Sequence, residues 1–221
     1  MATLPVSTPC PFERPLDHDL AGLFDRALLE LQREDGELAT RMAARTDRQH
    51  AADQEHPGLT YWVYETTLVY MMFKAWLPSC DAVWEPPYPL DSKHHVDIAI
   101  RGRDGHLARA FEAKWWNSAG VDQYIKDVLA TDVGRLLTKT SATTERYLVL
   151  FWWNTPANRE HAVEQARELA QALSTKCANT SGAGPRHGGG ALVQPRYLGW
   201  FDTRRRTAVV DFVMSVMSVD C

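Results

Sequence analysis

A β-hairpin pattern between residues 93 and 116 limits what this chain can fold into more than any other feature. Lys93–Arg101 and Leu107–Trp116 both read as strands, and Asp104-Gly105 between them is a common two-residue turn. If that dipeptide forms the turn, residues whose numbers add to 209 face each other across the ladder. Asp97 and Glu112 then lie opposite each other, with their Cβ atoms about 5 Å apart.

Two carboxylates in this position require a positive charge. Opposed like charges destabilise a sheet, and in a partly dry site they raise each other's pKa unless a proton or a cation lies between them. Two hard oxygen ligands on a rigid hairpin suit Mg²⁺ or Mn²⁺, which keep several waters and accept phosphate oxygens. Because side chains alternate between the two faces of a strand, Lys114 lies on the same face as Glu112. Its ammonium can hold a water or stabilise charge that develops on a phosphorus centre.

Hydrophobic periodicity predicts the elements around this hairpin. Glu65 lies on the apolar stripe of the second predicted helix. The polar segment Arg45–Gly58 separates an N-terminal helical extension, residues 1–58, from an α/β domain, residues 59–221, and Cys177–Gly190 is predicted to be a loop. The predicted helices are Asp19–Arg45, Thr60–Leu77, Val121–Thr138 and Pro156–Ser174, and the further strands are Arg146–Trp153, Leu192–Phe201 and Thr207–Met214.

Composition excludes some functions and leaves others open. The chain has 24 Lys and Arg against 28 Asp and Glu, so its net charge of −4 neither supports nor excludes nucleic-acid binding. No apolar run reaches the roughly 18 residues that cross a bilayer, and the N-terminus lacks a secretory pattern. We therefore expect a soluble, cytoplasmic protein with no membrane partner. The four cysteines are far apart and form no C-x-x-C motif, which indicates reduced thiols.

These residues also resemble a known family. Glu65 in a helix, Asp97, and Glu112-Ala113-Lys114 at the end of a second strand resemble the PD-(D/E)xK phosphodiesterase superfamily, which has the restriction-endonuclease-like fold. Val96 stands where the proline of the family name would be. The next helix carries Asp127, Asp132 and Arg135, which resemble acidic and basic positions of the superfamily.

The resemblance implies an α/β fold, with a central mixed β-sheet flanked by helices and, in this chain, an N-terminal helical layer. It also implies that Asp97, Glu112 and the carbonyl of Ala113 bind the metal. Lys114 would then position the attacking water, and Glu65 would support a water on the metal. The implied activity is divalent-metal-dependent hydrolysis of phosphodiester bonds, with DNA as the favoured substrate.

Candidate substrate contacts come from the basic residues of the hairpin. His95 falls beside Lys114 in the 209 register, and Arg101, Arg103 and Arg109 could follow a phosphate backbone. Arg204-Arg205-Arg206 forms a further basic turn between the last two predicted strands.

Two other interpretations remain open. The chain could be a nuclease-like protein that has lost hydrolysis and serves as a binding protein, such as a subunit of a bacterial defence or mobile-element system. Its acidic N-terminal region could then contact a protein partner or a second copy of the chain. Alternatively, it could be an α/β domain in which the charged strand residues are incidental.

Overall fold

The computed structural model of the protein describes residues 12–43, 64–116, 123–156, 159–180, 192–205 and 208–220. The helices within these ranges are α1 His18–Ala43, α2 Glu65–Trp76, α3 Gln123–Lys139 and α4 Arg159–Thr180. The strands are β1 Ala82–Trp84, β2 Pro87–Tyr88, β3 Asp91–His95, β4 Ile98–Arg101, β5 Leu107–Trp115, β6 Glu145–Asn154, β7 Leu192–Arg205 and β8 Ala208–Asp220.

Six of the strands form one mixed sheet in the order β1-β4-β5-β6-β8-β7. β5 and β6 are parallel, as expected for two strands joined by the crossover helix α3, and the other neighbours are antiparallel. β2 and β3 form a separate two-stranded sheet. The predicted α/β class, with a central mixed sheet flanked by helices, is confirmed.

Helices cover both faces of the sheet. α1 and α2 pack on one face, where the ring of Phe24 lies 5.2 Å from that of Trp76 and 5.9 Å from that of Phe111. α3 and α4 pack on the other face, against Trp116 and Trp152. Because residues of β5 alternate between these faces, Phe111 and its odd-numbered neighbours point to α1 and α2, and Glu112 and Lys114 point to α3.

The predicted hairpin is present, but its turn is not the expected one. Gly102 and Gly105 close a turn through Gly105 N–H to Gly102 C=O at 3.0 Å, so the connection has three residues, Arg103-Asp104-Gly105. Gly105 has φ +79°, a value that glycine adopts without strain. A bulge between the Ile100 and Arg101 pairs then restores the 209 register, so Ile98 faces Phe111 as predicted.

The first strand of the hairpin is also interrupted. The prediction of one strand over Lys93–Arg101 is wrong, because β3 ends at His95 and β4 begins at Ile98. Asp97 lies in the bend between them. This break lets β3 turn away and pair with β2, and it leaves the edge of β5 beyond Phe111 without a partner strand.

Other elements differ in length from their predictions. α4 continues to Thr180, six residues beyond the predicted end, and therefore includes the first residues of the predicted loop Cys177–Gly190. β7 and β8 are longer than predicted, because they pair with each other over their whole lengths. The ladder runs from Leu192 opposite Asp220 to Arg205 opposite Ala208. The predicted loop Arg45–Gly58, residues 60–63 of the second helix, residues 181–190 and Arg206 lie outside the described residues. Among the helices that are described, none is long and apolar enough to span a membrane.

Gly105→Ala is expected to lower the free energy of unfolding by about 1 kcal/mol, because alanine is strained at this positive φ. A Cβ at residue 105 would meet nothing within 4 Å, so the cost is conformational. Gly134→Ala in α3 is the matched control, since its Cβ also meets nothing within 4 Å, and it should stabilise the helix. Urea denaturation measures both. Equal stability of Gly105→Ala and wild type would contradict the turn described above.

Candidate active site

Two carboxylates cap the part of the β5 edge that β4 leaves unpaired. The Ala113 N–H donates to Asp97 Oδ2 at 2.7 Å, and the Trp115 N–H donates to Glu65 Oε2 at 3.0 Å. Asp97 comes from the bend before β4, and Glu65 is the first residue of α2. Since a buried N–H without a partner is costly, these bonds fix both acids at the end of β5.

Asp97 and Glu112 lie against each other, as the register predicts. They share a hydrogen bond, and the Tyr88 hydroxyl donates to Glu112 Oε1. Glu112 is only 5 % exposed. Burial, followed by the charge of Asp97, raises the pKa of Glu112 to about 9. Burial also raises the pKa of Asp97, although the Ala113 N–H acts against it. The pair therefore retains a proton at neutral pH.

Lys114 lies beside this pair and carries the positive charge of the site. Its Nζ is 2.8 Å from Glu65 Oε1 and 3.7 Å from Asp132 Oδ2. Burial disfavours the ammonium, but the hydrogen bond to Glu65 and the neighbouring carboxylates outweigh burial and raise the pKa of Lys114. Lys114 is therefore a stable cation, held by one acid from α2 and one from α3.

Asp132, one of the acidic positions that resemble the superfamily, is a member of the site, although the sequence predicted no specific role for it. Its side chain is 6 % exposed, and its Oδ2 accepts no hydrogen bond from the part of the chain that the structure describes. Arg135 contacts the other oxygen, Oδ1, at 3.3 Å. Burial raises the pKa of Asp132, in spite of Lys114 and Arg135. One signal could have revealed it, because Asp132 lies on the helical stripe of the buried Leu129, Val133 and Leu136.

Tyr88 also belongs to the site, and no sequence pattern marked it. It lies in the short strand β2, in a proline-rich segment, and is 2 % exposed. Burial and the adjacent Glu112 raise the pKa of its hydroxyl above the ordinary value. The hydroxyl therefore stays protonated and serves as a hydrogen-bond donor to Glu112.

A second pair of acids shows how this chain neutralises opposed carboxylates elsewhere. Asp202 and Asp211 face each other across β7 and β8. Arg159 bonds both, with Nε and Nη2 each 2.9 Å from an oxygen of Asp211 and Nη2 2.9 Å from Asp202. Asp97 and Glu112 have no such guanidinium within the described residues.

The donor set fits a small divalent cation. Asp97 and Glu112 offer hard carboxylate oxygens. The Ala113 carbonyl points to the same edge of β5 as the Ala113 N–H, which donates to Asp97. In the described part of the chain, no three His, Cys, Asp or Glu side chains form a preassembled metal site. Mg²⁺ does not need one, because it is often held by one or two carboxylates and completes its octahedron with water and phosphate oxygens.

The predicted substrate contacts do not gather at this site. His95 does not lie beside Lys114: it pairs with Pro87 in the β2–β3 sheet, and its Nδ1 bonds the Glu85 carbonyl at 2.7 Å. The prediction failed because the strand breaks before Asp97.

The predicted arginine contacts lie at the turn end of the hairpin. Arg109 precedes Lys114 by five residues, about 16 Å along an extended strand, and Arg101 and Arg103 are at the turn. Arg109 is also engaged by Glu145 at 2.8 Å and Asp17 at 3.3 Å. The structure therefore brings together Glu65, Asp97, Glu112, Ala113 and Lys114, but not the three arginines.

Comparisons of this chain with protein-family models, curated proteins and solved structures gave no match.

Proposed function

We propose that the protein is a divalent-metal-dependent nuclease that hydrolyses phosphodiester bonds in DNA, with a restriction-endonuclease-like fold of the PD-(D/E)xK type. One observation carries the proposal: Glu112 is buried against Asp97, and among the described residues neither acid forms an ion pair with a cationic side chain. The mixed sheet with helices on both faces is compatible with the fold.

The metal would be Mg²⁺ or Mn²⁺, held by Asp97, Glu112 and the Ala113 carbonyl. Once bound, it would supply Lewis-acid activation and neutralise charge on the phosphate. Asp132 Oδ2, which has no hydrogen-bond partner among the described residues, is a further buried acceptor 3.7 Å from Lys114 Nζ, which suits a site that takes up positive charge.

The protein's own residues would orient the reacting groups. Lys114 stays protonated and would donate a hydrogen bond from Nζ to the attacking water or to a phosphate oxygen. Glu65 fixes the ammonium at 2.8 Å and is itself fixed by the Trp115 N–H. Tyr88 orients Glu112 by donating to Oε1.

Cleavage of plasmid and oligonucleotide DNA in Mg²⁺ or Mn²⁺ tests the proposal. Glu112→Gln should abolish cleavage, because an amide cannot supply the anionic oxygen that the metal requires. Asp202→Asn is the matched control: it alters an acid of the other pair, which Arg159 neutralises, and should leave cleavage unchanged. Wild-type protein without metal-dependent cleavage, or an active Glu112→Gln variant, would contradict the assignment.

A second candidate function is a nuclease-like binding protein without hydrolysis. The observation that favours it is the position of Lys114, whose ammonium is already engaged by Glu65 at 2.8 Å. This candidate predicts that DNA or a protein partner binds with no metal-dependent cleavage, so the same assay separates the two.

A further inference from the structure

Basic side chains lie next to the carboxylate site on α3, away from the turn end of the hairpin. Arg135 and Lys139 are four residues apart, so they lie on the same side of the helix. Their side chains are 45 % and 38 % exposed. Because Arg135 contacts Asp132 Oδ1 at 3.3 Å, its guanidinium lies at the boundary between the buried acids and solvent.

The β2–β3 hairpin continues this basic surface. The Leu90 N–H donates to the Lys139 carbonyl at 3.1 Å, which fixes the hairpin against the end of α3. Asp91 accepts from Lys139 Nζ at 3.1 Å and contacts His94 Nδ1 at 2.8 Å. Lys93 is exposed and forms no ion pair with any residue that the structure describes.

The same hairpin contributes to the acidic site. Tyr88, in β2, donates to Glu112. The strip formed by Arg135, Lys139, His94 and Lys93 therefore extends from the edge of the carboxylate cluster to β3. Among the described residues, two acids contact members of this strip: Asp132 contacts Arg135, and Asp91, whose side chain is 15 % exposed, contacts Lys139 and His94. The side chains of Arg135 and Lys139 are nonetheless partly exposed and Lys93 is exposed, so three permanent cations can be reached from solvent.

We propose that this strip binds the phosphodiester backbone of one nucleic-acid strand and leads it to the Asp97–Glu112 pair. The inference rests on the proposed function and names its substrate-binding surface. A short strip with three cations fits two or three consecutive phosphates, and the net charge of −4 opposes a long duplex track elsewhere on the surface.

Binding of a fluorescent single-stranded oligodeoxynucleotide tests the surface, with the full-length chain and EDTA present to prevent cleavage. Each phosphate contact should contribute about 0.7 to the slope of log K against log salt. Lys93→Gln/Lys139→Gln should weaken binding about tenfold at low salt and reduce the slope by about 1.4. Arg101→Gln/Arg103→Gln removes the same charge at the hairpin turn and is the matched control, which should bind like wild type.

Three results would overturn the inference: no binding of the oligonucleotide by wild type at low salt, unchanged binding by the strip variant, or an equal loss in the control. Lys93→Gln alone should give half of the change in slope. Because this substitution removes no ion pair of the described residues, a loss of oligonucleotide binding in that variant cannot be attributed to misfolding. In parallel titrations, duplex DNA should bind more weakly than single-stranded DNA. Single-stranded RNA should bind with a salt slope similar to that of single-stranded DNA. Tighter binding of duplex than of single-stranded DNA would contradict a single-strand track.

The outcomes also separate this surface from the proposed activity. Binding that depends on the strip, without cleavage in Mg²⁺, would retain the surface and exclude the nuclease. Cleavage that is unaffected in Lys93→Gln/Lys139→Gln, together with unchanged binding, would retain the nuclease and exclude the surface.

Discussion

Lys114→Gln is expected to lower the rate of Mg²⁺-dependent DNA cleavage by about 100- to 1,000-fold, a loss typical when one group that stabilises transition-state charge is removed. Lys114 interacts electrostatically with Asp97, and its hydrogen bond to Glu65 and the neighbouring carboxylates keep it charged. Glutamine keeps a hydrogen-bond donor for Glu65 but supplies no charge at the phosphate. The loss should appear mainly in kcat, because the charge acts on the transition state.

The matched control for this experiment is Lys74→Gln. Lys74 forms an ion pair with Glu30 at 2.7 Å, and this pair joins α2 and α1. The control removes a comparable ion pair without touching the carboxylate cluster, so cleavage should stay at the wild-type rate. A Lys114→Gln variant that cleaves within a few fold of wild type would remove Lys114 from the mechanism.

Glu112→Gln is expected to reduce the fall in stability of the metal-free protein as pH rises from 5 to 9. The pKa of Glu112 is raised from an ordinary 4.5 to about 9, so the folded state holds one more proton than the unfolded state between these values. The free energy of unfolding is therefore highest below the ordinary pKa and falls as pH rises through about 9. One such proton gives a slope of up to about 1.4 kcal/mol per pH unit.

Chemical denaturation in EDTA from pH 5 to pH 9 measures this slope. The amide resembles the protonated carboxyl in size and can bond both Tyr88 and Asp97, so the variant should become more stable than wild type as the pH approaches 9. Asp202→Asn serves as the comparison: burial and Asp211 raise the pKa of Asp202, but Arg159 acts against both, so this variant should change the slope less than Glu112→Gln does. Parallel curves for wild type and Glu112→Gln would mean that Glu112 is ionised in the folded protein, and the main argument for a cation would be lost.

The order of the longer elements and the pairing of β4 with β5 could be predicted from the sequence, whereas the short strands β1 and β2 were not predicted. Apolar periodicity marked the helices, and the alternation in β5 correctly placed Glu112 and Lys114 on one face. The 209 register holds at Ile98 and Ile100, although the turn behind it was wrong. A three-residue connection and a compensating bulge give the same pairing as a two-residue turn, and local turn propensity cannot distinguish the two.

The break at Asp97 could not be predicted, since Lys93–Arg101 has strand propensity throughout. What separates β3 from β4 is tertiary: β3 pairs with β2, and Asp97 caps the Ala113 N–H in place of a strand. The same break moved His95 away from Lys114 and brought Tyr88 to Glu112. The acids on β5 and α2 could thus be predicted from local pattern, whereas the donor to Glu112 depended on long-range packing.

Calorimetric titration of the metal-free protein with Mn²⁺, in two buffers of different ionisation enthalpy at neutral pH, tests most directly whether the paired acids form a metal site. One ion should bind per chain and release about one proton, the proton that Asp97 and Glu112 share. Glu112→Gln should bind at least tenfold more weakly and release none. Absence of Mn²⁺ binding by wild type, or binding by Glu112→Gln with equal affinity and equal proton release, would contradict a metal centre at this pair.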